Sequence, residues 1–253
     1  MRVLVLALQW GVVATLAALW ETASQQKWVD PQLLPPLSKV LSTLQTMLGN
    51  ASFQRDMLTT LGEVAAAFAL VAPIGIGFGF FLGERRKLYK AVAPSIHLIL
   101  AIPKSIFLPI FIMGLGIGFG QKVAFAVALA VFIVLINAIA AVHSVPQGLI
   151  TAARAMGATP RQIYLRIYIP AMLPLIIGGL RMGLIFTVTG VLLAEMYAAQ
   201  RGIGRAIFAW GESYQMAQLL AAVLLVVTVT IVFNELLQLC ESYTRRRTGS
   251  RMG

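Results

Sequence analysis

The chain contains one cysteine, Cys240, and two histidines, His97 and His143. A single cysteine excludes an internal disulfide and a metal site built from a thiolate cluster. Neither histidine lies in the H-E-x-x-H pattern of zinc hydrolases, and the G-x-S-x-G motif of serine hydrolases is absent. We also predict that no two acidic residues share a helical face within the membrane. We therefore expect neither a catalytic site nor a metal site on this chain.

Charged residues are scarce as well. They make up 11% of the chain, whereas soluble proteins carry about a quarter. Hydrophobic residues make up 59%, and the mean hydropathy is +0.85. The apolar residues are gathered into runs of about the length at which a helix crosses a bilayer. We predict an all-α integral membrane protein.

The formal net charge of +11 comes from 20 Lys and Arg residues against nine Asp and Glu residues. The basic residues are not clustered on one amphipathic face, so no nucleic-acid partner is expected. Under the topology given below, twelve fall on the inner side and six on the outer, Lys122 among the six. Short inner loops of membrane proteins collect Lys and Arg. The excess therefore predicts a multi-pass membrane protein with both termini in the cytoplasm.

Six membrane spans are predicted. In chain order they are Val3–Trp20, Leu58–Leu82, Ala93–Met113, Val123–Val142, Leu173–Met196 and Leu219–Leu239. The first could be a signal peptide, but it is long for one, so an uncleaved helix is favoured. Pro94, Pro103 and Pro109 predict that the third span is broken or kinked. The glycines of the second span, at 75, 77, 79 and 83, predict close helix packing.

The spans divide the chain into three parts. Residues 1–57 hold the first helix and an amphipathic outer helix, on which apolar residues recur at helical spacing from Leu37 to Leu48; we expect this helix to pack against the membrane core. Residues 58–240 form the main membrane domain, and residues 241–253 form a basic cytoplasmic tail. The glycine-rich stretch Gly114–Lys122 does not fit the G-x-x-x-x-G-K-[ST] frame. It is predicted to be an outer turn, and no nucleotide site is expected on this chain.

One long polar and cationic stretch, Ser144–Pro170, interrupts two very apolar runs. Ser144 and Gln147 fit a capping box that would begin one helix, which Gly157 would end. Thr159 would cap a second helix, with Pro160 in its first position and Gln162 completing another capping box.

Within this loop, the sequence Thr151-Ala152-Ala153, followed by Gly157 and then by Ile167-Tyr168-Ile169-Pro170, resembles the EAA loop of ABC-importer permeases. The family spacing is kept, with Thr151 in place of the usual Glu. The stretch from Ile102-Pro103 to Leu108-Pro109 is similar to the corresponding segment of permeases in the nitrate, sulfonate and taurine group. The resemblance extends from the second span to the sixth.

The resemblance implies a type I ABC-importer permease fold and transport by alternating access, without an enzymatic reaction on this chain. The solute would be a small polar or anionic molecule, such as nitrate, a sulfonate or a vitamin precursor. The partners implied are a second copy of the chain, two copies of a cytoplasmic ATPase that carries ATP and Mg, an extracytoplasmic solute-binding protein, and membrane lipid.

The resemblance implies a location in the bacterial plasma (inner) membrane. Two sets of site residues are expected, the first from the resemblance and the second in part from it. The residues expected to couple the chain to the ATPase are Thr151, Ala152, Ala153, Gly157, Ile167 and Pro170. The residues expected to line the translocation pathway are Pro103, Pro109, Asn137, Arg181 and Glu195. Arg181 and Glu195 fall on one stripe of the fifth span, which would face the dimer interface or the pathway. Alternatively, Arg181 reaches the inner interface and Glu195 lies among the outer headgroups.

Two other functions are open from the residues alone. The chain could be an intramembrane hydrolase, or a structural subunit of a different membrane complex. Neither alternative needs an ATPase partner.

Overall fold

The computed structural model describes the backbone of residues 2–249 and their side chains, except those of residues 2–7, Gln9 and every residue from Cys240 onward. Throughout that range, every regular element is a helix. The α-helices are α1 (Arg2–Gln25), α2 (Leu37–Leu48), α3 (Ala51–Glu84), α4 (Arg86–Ala101), α5 (Leu108–Leu115), α6 (Phe119–His143), α7 (Gln147–Ala155), α8 (Pro160–Ile163), α9 (Ile169–Ala198), α10 (Ile203–Glu212) and α11 (Met216–Gly249). A 3-10 turn (Lys104–Phe107) precedes α5, and a π turn (Tyr164–Tyr168) joins α8 to α9. The all-α prediction is confirmed.

Four helices are long and apolar enough to cross a membrane: Ala51–Glu84, Phe119–His143, Pro160–Ala198 and Met216–Leu239. A fifth crossing is formed if the pair Arg86–Ala101 and Lys104–Leu115 counts as one span. The two helices of this pair are bent by 80° relative to each other. The break falls at Pro103, as the prolines of the third span predicted. The first predicted span corresponds to α1, a helix of 24 residues that is not among these five and whose first side chains lie outside the described part of the chain.

Several helix boundaries differ from those predicted. α3 begins at Ala51 rather than Leu58, because the Asn50 side chain caps it by accepting a hydrogen bond from the Ser52 amide at 2.8 Å. The third span begins at Arg86 rather than near Ala93. The backbone of α11 continues to Gly249, so most of the predicted tail 241–253 is helical. Residues 250–253 and the side chains of the Arg245–Arg247 cluster lie outside the described residues.

The glycine-rich stretch Gly114–Lys122 forms the predicted turn only in its middle, since Gly114 and Leu115 are the last residues of α5. Gly116 adopts a φ of 71°, and α6 already begins at Phe119. Lys122 was placed in this turn and counted among the charges of the outer side, but it lies within α6 and is 4% exposed. The turn prediction is wrong at this residue, and the buried charge has a carboxylate partner, described below.

The amphipathic helix predicted from the apolar spacing is α2, with the bounds Leu37–Leu48. Val40 and Met47 are buried in a cluster with Ala221 and Ala222 of α11, so the predicted packing against the membrane core is confirmed. α1 is tied to α2 by Glu21, whose carboxylate accepts hydrogen bonds from the Ser38 amide at 3.0 Å and the Ser38 hydroxyl at 2.8 Å.

The centre of the fold is α6, which packs against both α3 and α9. On α3, the contact is made by Gly75, Gly79 and Gly83, which recur every fourth residue and therefore lie on one face. A Cβ built on Gly79 would lie 2.5 Å from the Ala138 Cβ and 2.6 Å from the Leu135 carbonyl oxygen. The glycines thus allow the two helix backbones to approach each other closely, as predicted. The exception is position 77, where an added Cβ meets nothing within 4 Å.

This packing predicts opposite effects for two neighbouring glycines. Gly79→Ala forces α3 away from the α6 backbone, at a cost of about 1–3 kcal/mol of stability. Gly77→Ala only replaces glycine by a better helix former, which stabilises by up to about 1 kcal/mol. Thermal unfolding of the two purified variants in the same detergent measures the difference. If Gly79→Ala unfolds at or above the temperature of Gly77→Ala, the close contact is not the constraint described here.

Candidate functional site

The loop between α6 and α9 begins differently from the prediction. Ser144 ends α6, and its hydroxyl donates to the Ala141 carbonyl at 2.8 Å instead of capping a new helix. α7 begins after Pro146, whose extended backbone (ψ 121°) occupies the N-cap position without a side-chain hydrogen bond. The predicted capping box of Ser144 and Gln147 is therefore wrong, because a proline restricts the residue before it to an extended conformation and delays the helix.

The end of α7 was predicted correctly. Gly157 adopts a φ of 78°. Its amide donates to the Arg154 carbonyl at 2.9 Å, and the Ala158 amide donates to the Ala153 carbonyl at 3.0 Å. This pair of bonds is the Schellman arrangement, in which a left-handed residue ends the helix and glycine avoids the cost of a Cβ.

The second helix of the loop also begins as predicted. The Gln162 amide donates to the Thr159 hydroxyl at 3.3 Å, and the Thr159 amide donates to the Gln162 side-chain oxygen at 2.8 Å, which completes the capping box. The helix then widens into the π turn, where the Ile169 amide donates to the Tyr164 carbonyl. Pro170 lacks an amide hydrogen, so it cannot make the regular helical bond at this point. The second half of the loop thereby continues into α9 as one helix, Pro160–Ala198.

The predicted coupling residues do not all face the same way. Ala153 is 7% exposed and packs in an apolar cluster with Val142, Ile163 and Met172. Ile167 is half-buried against the same cluster, and Pro170 is also half-buried. The remaining predicted coupling residues, Thr151, Ala152 and Gly157, are exposed. A groove in another protein can therefore reach Ala152, whereas Ala153 is covered by this chain.

One exposed face of α7 is apolar. Leu149 is 41% exposed, Met156 is 81% exposed, and Ala152 lies exposed between them. Their spacing of three and four residues places all three on one side of the helix. We call Leu149, Ala152 and Met156 the α7 stripe. It is turned away from the cluster that buries Ile150 and Ala153.

At the opposite end of α9, the structure brings together polar side chains that lie far apart in the sequence. The buried members are Asp56, Thr60 and Glu63 of α3, Lys122 of α6 and Glu195 of α9, each at most 8% exposed. We call these five residues the carboxylate cluster. Lys122 forms an ion pair with Glu63. No three His, Cys, Asp or Glu side chains among the described residues could hold a metal ion.

The carboxylate cluster holds the first turn of α10. The Gly204 amide donates to Glu195 Oε2 at 2.6 Å, and the Gly202 amide donates to Asp56 Oδ1 at 3.1 Å. The Ile203 amide donates to the Thr60 hydroxyl at 2.9 Å, and that hydroxyl donates to Glu195 Oε1 at 2.7 Å. The free amides and the positive end of the helix dipole thus face buried carboxylates. Gly202 has a φ of 124°, and a Cβ there would collide with the Glu195 carboxylate.

This cluster corrects two expectations from the sequence. Asp56 and Glu63 are seven residues apart on one helix and share its buried face, although no such acidic pair was expected. The early start of α3 explains the error, because the predicted span began after Asp56. The alternative that Glu195 lies among the outer headgroups is not observed, since the side chain is enclosed by the chain with an exposed fraction of 0%. The spacing of Asp56, Thr60 and Glu63, at four and three residues, was the available signal.

Other predicted pathway residues pack inside the chain too. The Arg181 guanidinium donates to Asn234 at 3.0 Å and to Gln238 at 3.2 Å, both on α11. Arg181 therefore joins α9 to α11, whereas Glu195, fourteen residues further along α9, contacts α3 and α10. Asn137 is half-buried and lies against α9 at Gly179.

Pro103 and Pro109 are both exposed, at the break between α4 and α5 and at the start of α5. They are the most exposed of the predicted pathway residues.

A cavity of about 380 Å³ lies between α3, α9 and α11. Its described lining includes Leu61, Phe68, Val188, Val229 and Phe233, with Thr60 and Thr230 as the polar members. No charged side chain among the described residues lines it, so it does not suit a small anion.

The sequence profile of the family described as "binding-protein-dependent transport system inner membrane component" matches residues 72–248, which include the loop and most of the core helices. The taurine transport system permease protein TauC of Escherichia coli (strain K12) is 29% identical over 230 residues, covering 88% of this chain and 83% of that protein. A probable ABC transporter permease protein of Brucella melitensis biotype 1 is 34% identical over 173 residues, covering 68% and 70% of the two chains. In inward-facing structures of the MetNI methionine ABC transporter, one chain superposes with a TM-score of 0.62 at 24% identity, covering 77% of this chain and 94% of that chain.

The chain belongs to this family of inner membrane transport components. The superposition confirms the type I importer permease fold predicted from the loop. The chain is therefore a transport subunit of an ABC importer.

The carboxylate cluster predicts that two adjacent threonines respond differently to the same change. Thr60→Val removes the hydroxyl between Glu195 and the Ile203 amide and leaves both groups buried without that partner, at about 1–3 kcal/mol. Thr59→Val removes only a bond to the Arg55 carbonyl of its own helix, which should change stability by about 0.5 kcal/mol or less.

Hydrogen exchange of the Gly202–Gly204 amides, together with thermal unfolding, measures this effect. Thr60→Val should speed exchange at these amides, and Thr59→Val should not. Equal exchange in the two variants would show that the cluster does not hold α10.

Proposed function

We propose that this chain works as a homodimer with two copies of a cytoplasmic ABC ATPase and an extracytoplasmic solute-binding protein, and that the α7 stripe is its docking surface for the ATPase. ATP and Mg would bind to the ATPase. Both chain termini and the Ser144–Pro170 loop would then face the cytoplasm, in keeping with the excess of basic residues predicted on that side.

The single observation that carries the docking proposal is the exposure of the α7 stripe. Met156 is one of the most exposed large apolar side chains on the described surface, although it lies in a polar loop. Such a side chain is best accounted for by a partner that buries it. Small residues next to it, Ala152 and Gly157, allow the backbone of the partner to approach closely.

The family resemblance assigned Thr151, Ala152, Ala153, Gly157, Ile167 and Pro170 to coupling. Their positions divide these roles. Ala152 and Gly157 would touch the ATPase, with Thr151 at the edge of the contact. Ala153, Ile167 and Pro170 would hold α7 against α9, so that a force on the stripe reaches the membrane helices.

The proposed solute is a small anionic or polar molecule, such as a sulfonate, nitrate or a vitamin precursor. The permease of the taurine system supports the sulfonate class. The apolar cavity between α3, α9 and α11 does not suit such a solute, so the pathway would lie on the outside of the protomer, between the two copies. Pro103 and Pro109 would line it, because broken helices are tolerated at membrane depth where they face protein or a water-filled path.

Affinity purification of the tagged chain from its own host, followed by reconstitution into liposomes, tests this function. We expect an ABC ATPase to co-purify in equal amount and the vesicles to accumulate radiolabelled taurine or nitrate only with ATP inside and the binding protein outside. Purification with other membrane proteins but no ATPase would instead favour a structural subunit.

The division of roles within α7 predicts different failures for adjacent alanines. Ala152→Arg places a large charge on the docking surface, so the ATPase should be lost while the unfolding temperature of the membrane domain is unchanged. Ala153→Arg places the same charge in the apolar cluster, where an unpaired charge costs several kcal/mol, so the domain itself should unfold more easily. Co-purification of the ATPase and thermal unfolding separate the two outcomes. Retention of the ATPase by Ala152→Arg would contradict the docking surface.

A further inference from the structure

Glu84 is the only acidic residue between Glu63 and Glu195, and it is followed directly by Arg85, Arg86 and Lys87. Despite these neighbours, no ion pair of Glu84 occurs among the described side chains. Its carboxylate instead accepts a hydrogen bond from the Tyr164 hydroxyl. The last residue of α3 is thereby joined to the Ser144–Pro170 loop across 80 residues of sequence.

Tyr164 contacts α3 through its ring as well. The ring lies 6.2 Å from that of Phe80, tilted by 50°. Phe80 and Glu84 are four residues apart, so both contacts fall on one face of α3. On its other side, the Tyr164 ring stacks on Tyr168 at 5.2 Å.

Tyr164 is also the first residue of the π turn. A π turn is an interruption in the regular helical bonding and is frequently found at functional sites. The contact with α3 is therefore made where the loop changes into α9, at the interruption in the regular helical bonding.

The neighbouring helix ends have contacts of their own. His143, the last residue of α6, lies with Nε2 3.1 Å from the Gly83 carbonyl oxygen, and its ring meets that of Tyr89 of α4 at 5.3 Å. α6 is thus fastened to α3 independently of Tyr164. Of the described hydrogen bonds, the one from Tyr164 to Glu84 is the bond that joins the second half of the loop to α3.

We propose that Tyr164 is a positioning residue for coupling: its hydrogen bond to Glu84 passes a displacement of the loop on to the end of α3. This inference rests on the proposed function, since it requires an ATPase that moves the loop. The ring contacts hold Tyr164 in place, and the hydroxyl makes the directional link.

The experiment uses the complete complex with its ATPase, with Cys240 replaced by serine and a single cysteine at the exposed Lys87, just beyond α3. The rate of maleimide labelling is measured without nucleotide and with ATP plus vanadate. Retention of vanadate-trapped ADP shows separately that the ATPase of each variant still turns over.

We expect Tyr164→Phe to reduce the ATP-dependent change in labelling by about fivefold, the low end of typical coupling between sites. Tyr168→Phe, which removes a hydroxyl from the other ring of the stack, is the matched control and should behave like the parent. Glu84→Ala should reduce the ATP-dependent change in labelling as much as Tyr164→Phe does, and the double variant should show no further reduction. Glu84→Gln keeps a hydrogen-bond acceptor, so its labelling response should be like that of the parent.

Three results would overturn the inference: an unchanged response in Tyr164→Phe, an equal loss in Tyr168→Phe, or additive losses in the double variant. A parent complex that traps ADP without any change at position 87 would also overturn it, because α3 would then receive no displacement. A chain that purifies without an ATPase would overturn the proposed function and this inference together.

Discussion

The fold depends on the close contact of α6 with α3 on one side and with α9 on the other. Helices in a membrane gain little from hydrophobic burial against each other, since lipid tails are equally apolar. Close packing then supplies much of the association, and it requires small residues at the contact. Gly79 on α3 and Gly183 on α9 allow this close packing, because a side chain at either position would overlap α6. The other helices attach to this three-helix centre.

The two ends of the three-helix centre are stabilised by different contacts. At one end, buried carboxylates of α3 and α9 accept hydrogen bonds from the first turn of α10, and Lys122 compensates one of the charges. At the other end, an apolar cluster and the bond from Tyr164 to Glu84 hold the Ser144–Pro170 loop. A buried polar group without partners is costly, so the first end resists opening. The second end presents an exposed apolar stripe and a π turn, which suits it to contact and movement.

Local signals in the sequence were sufficient for much of this architecture. Gly157 and the Thr159–Gln162 capping box were predicted because each involves neighbours in the chain. The proline break at Pro103 and the helix α2 followed for the same reason. The predicted Ser144 capping box does not form because Pro146 delays the start of the helix. Both signals are local, and the sequence pattern alone did not indicate which of them would determine the helix start.

Features that depend on distant partners could not be read from the sequence. Lys122 looked like a loop charge, since nothing near it in the chain indicates that Glu63 neutralises it. Glu195 looked like a pathway residue, since its partners Thr60 and Gly204 lie on other helices. Ala153 and Ala152 are equivalent in the motif, and only the packing of α7 on Ile163 and Met172 separates their roles.

The central claim is that α7 turns one face to the chain and an adjacent, exposed face to an ATPase. Disulfide cross-linking in the assembled complex tests it most directly. Cys240 is replaced by serine, and a single cysteine is introduced into this chain at position 156 or 150. Cysteines are also introduced along the groove of the ATPase that would receive α7. The account predicts that Met156→Cys forms a cross-link to the ATPase and that Ile150→Cys, buried against the chain's own core, does not. A cross-link at position 150, or none at position 156, would contradict it.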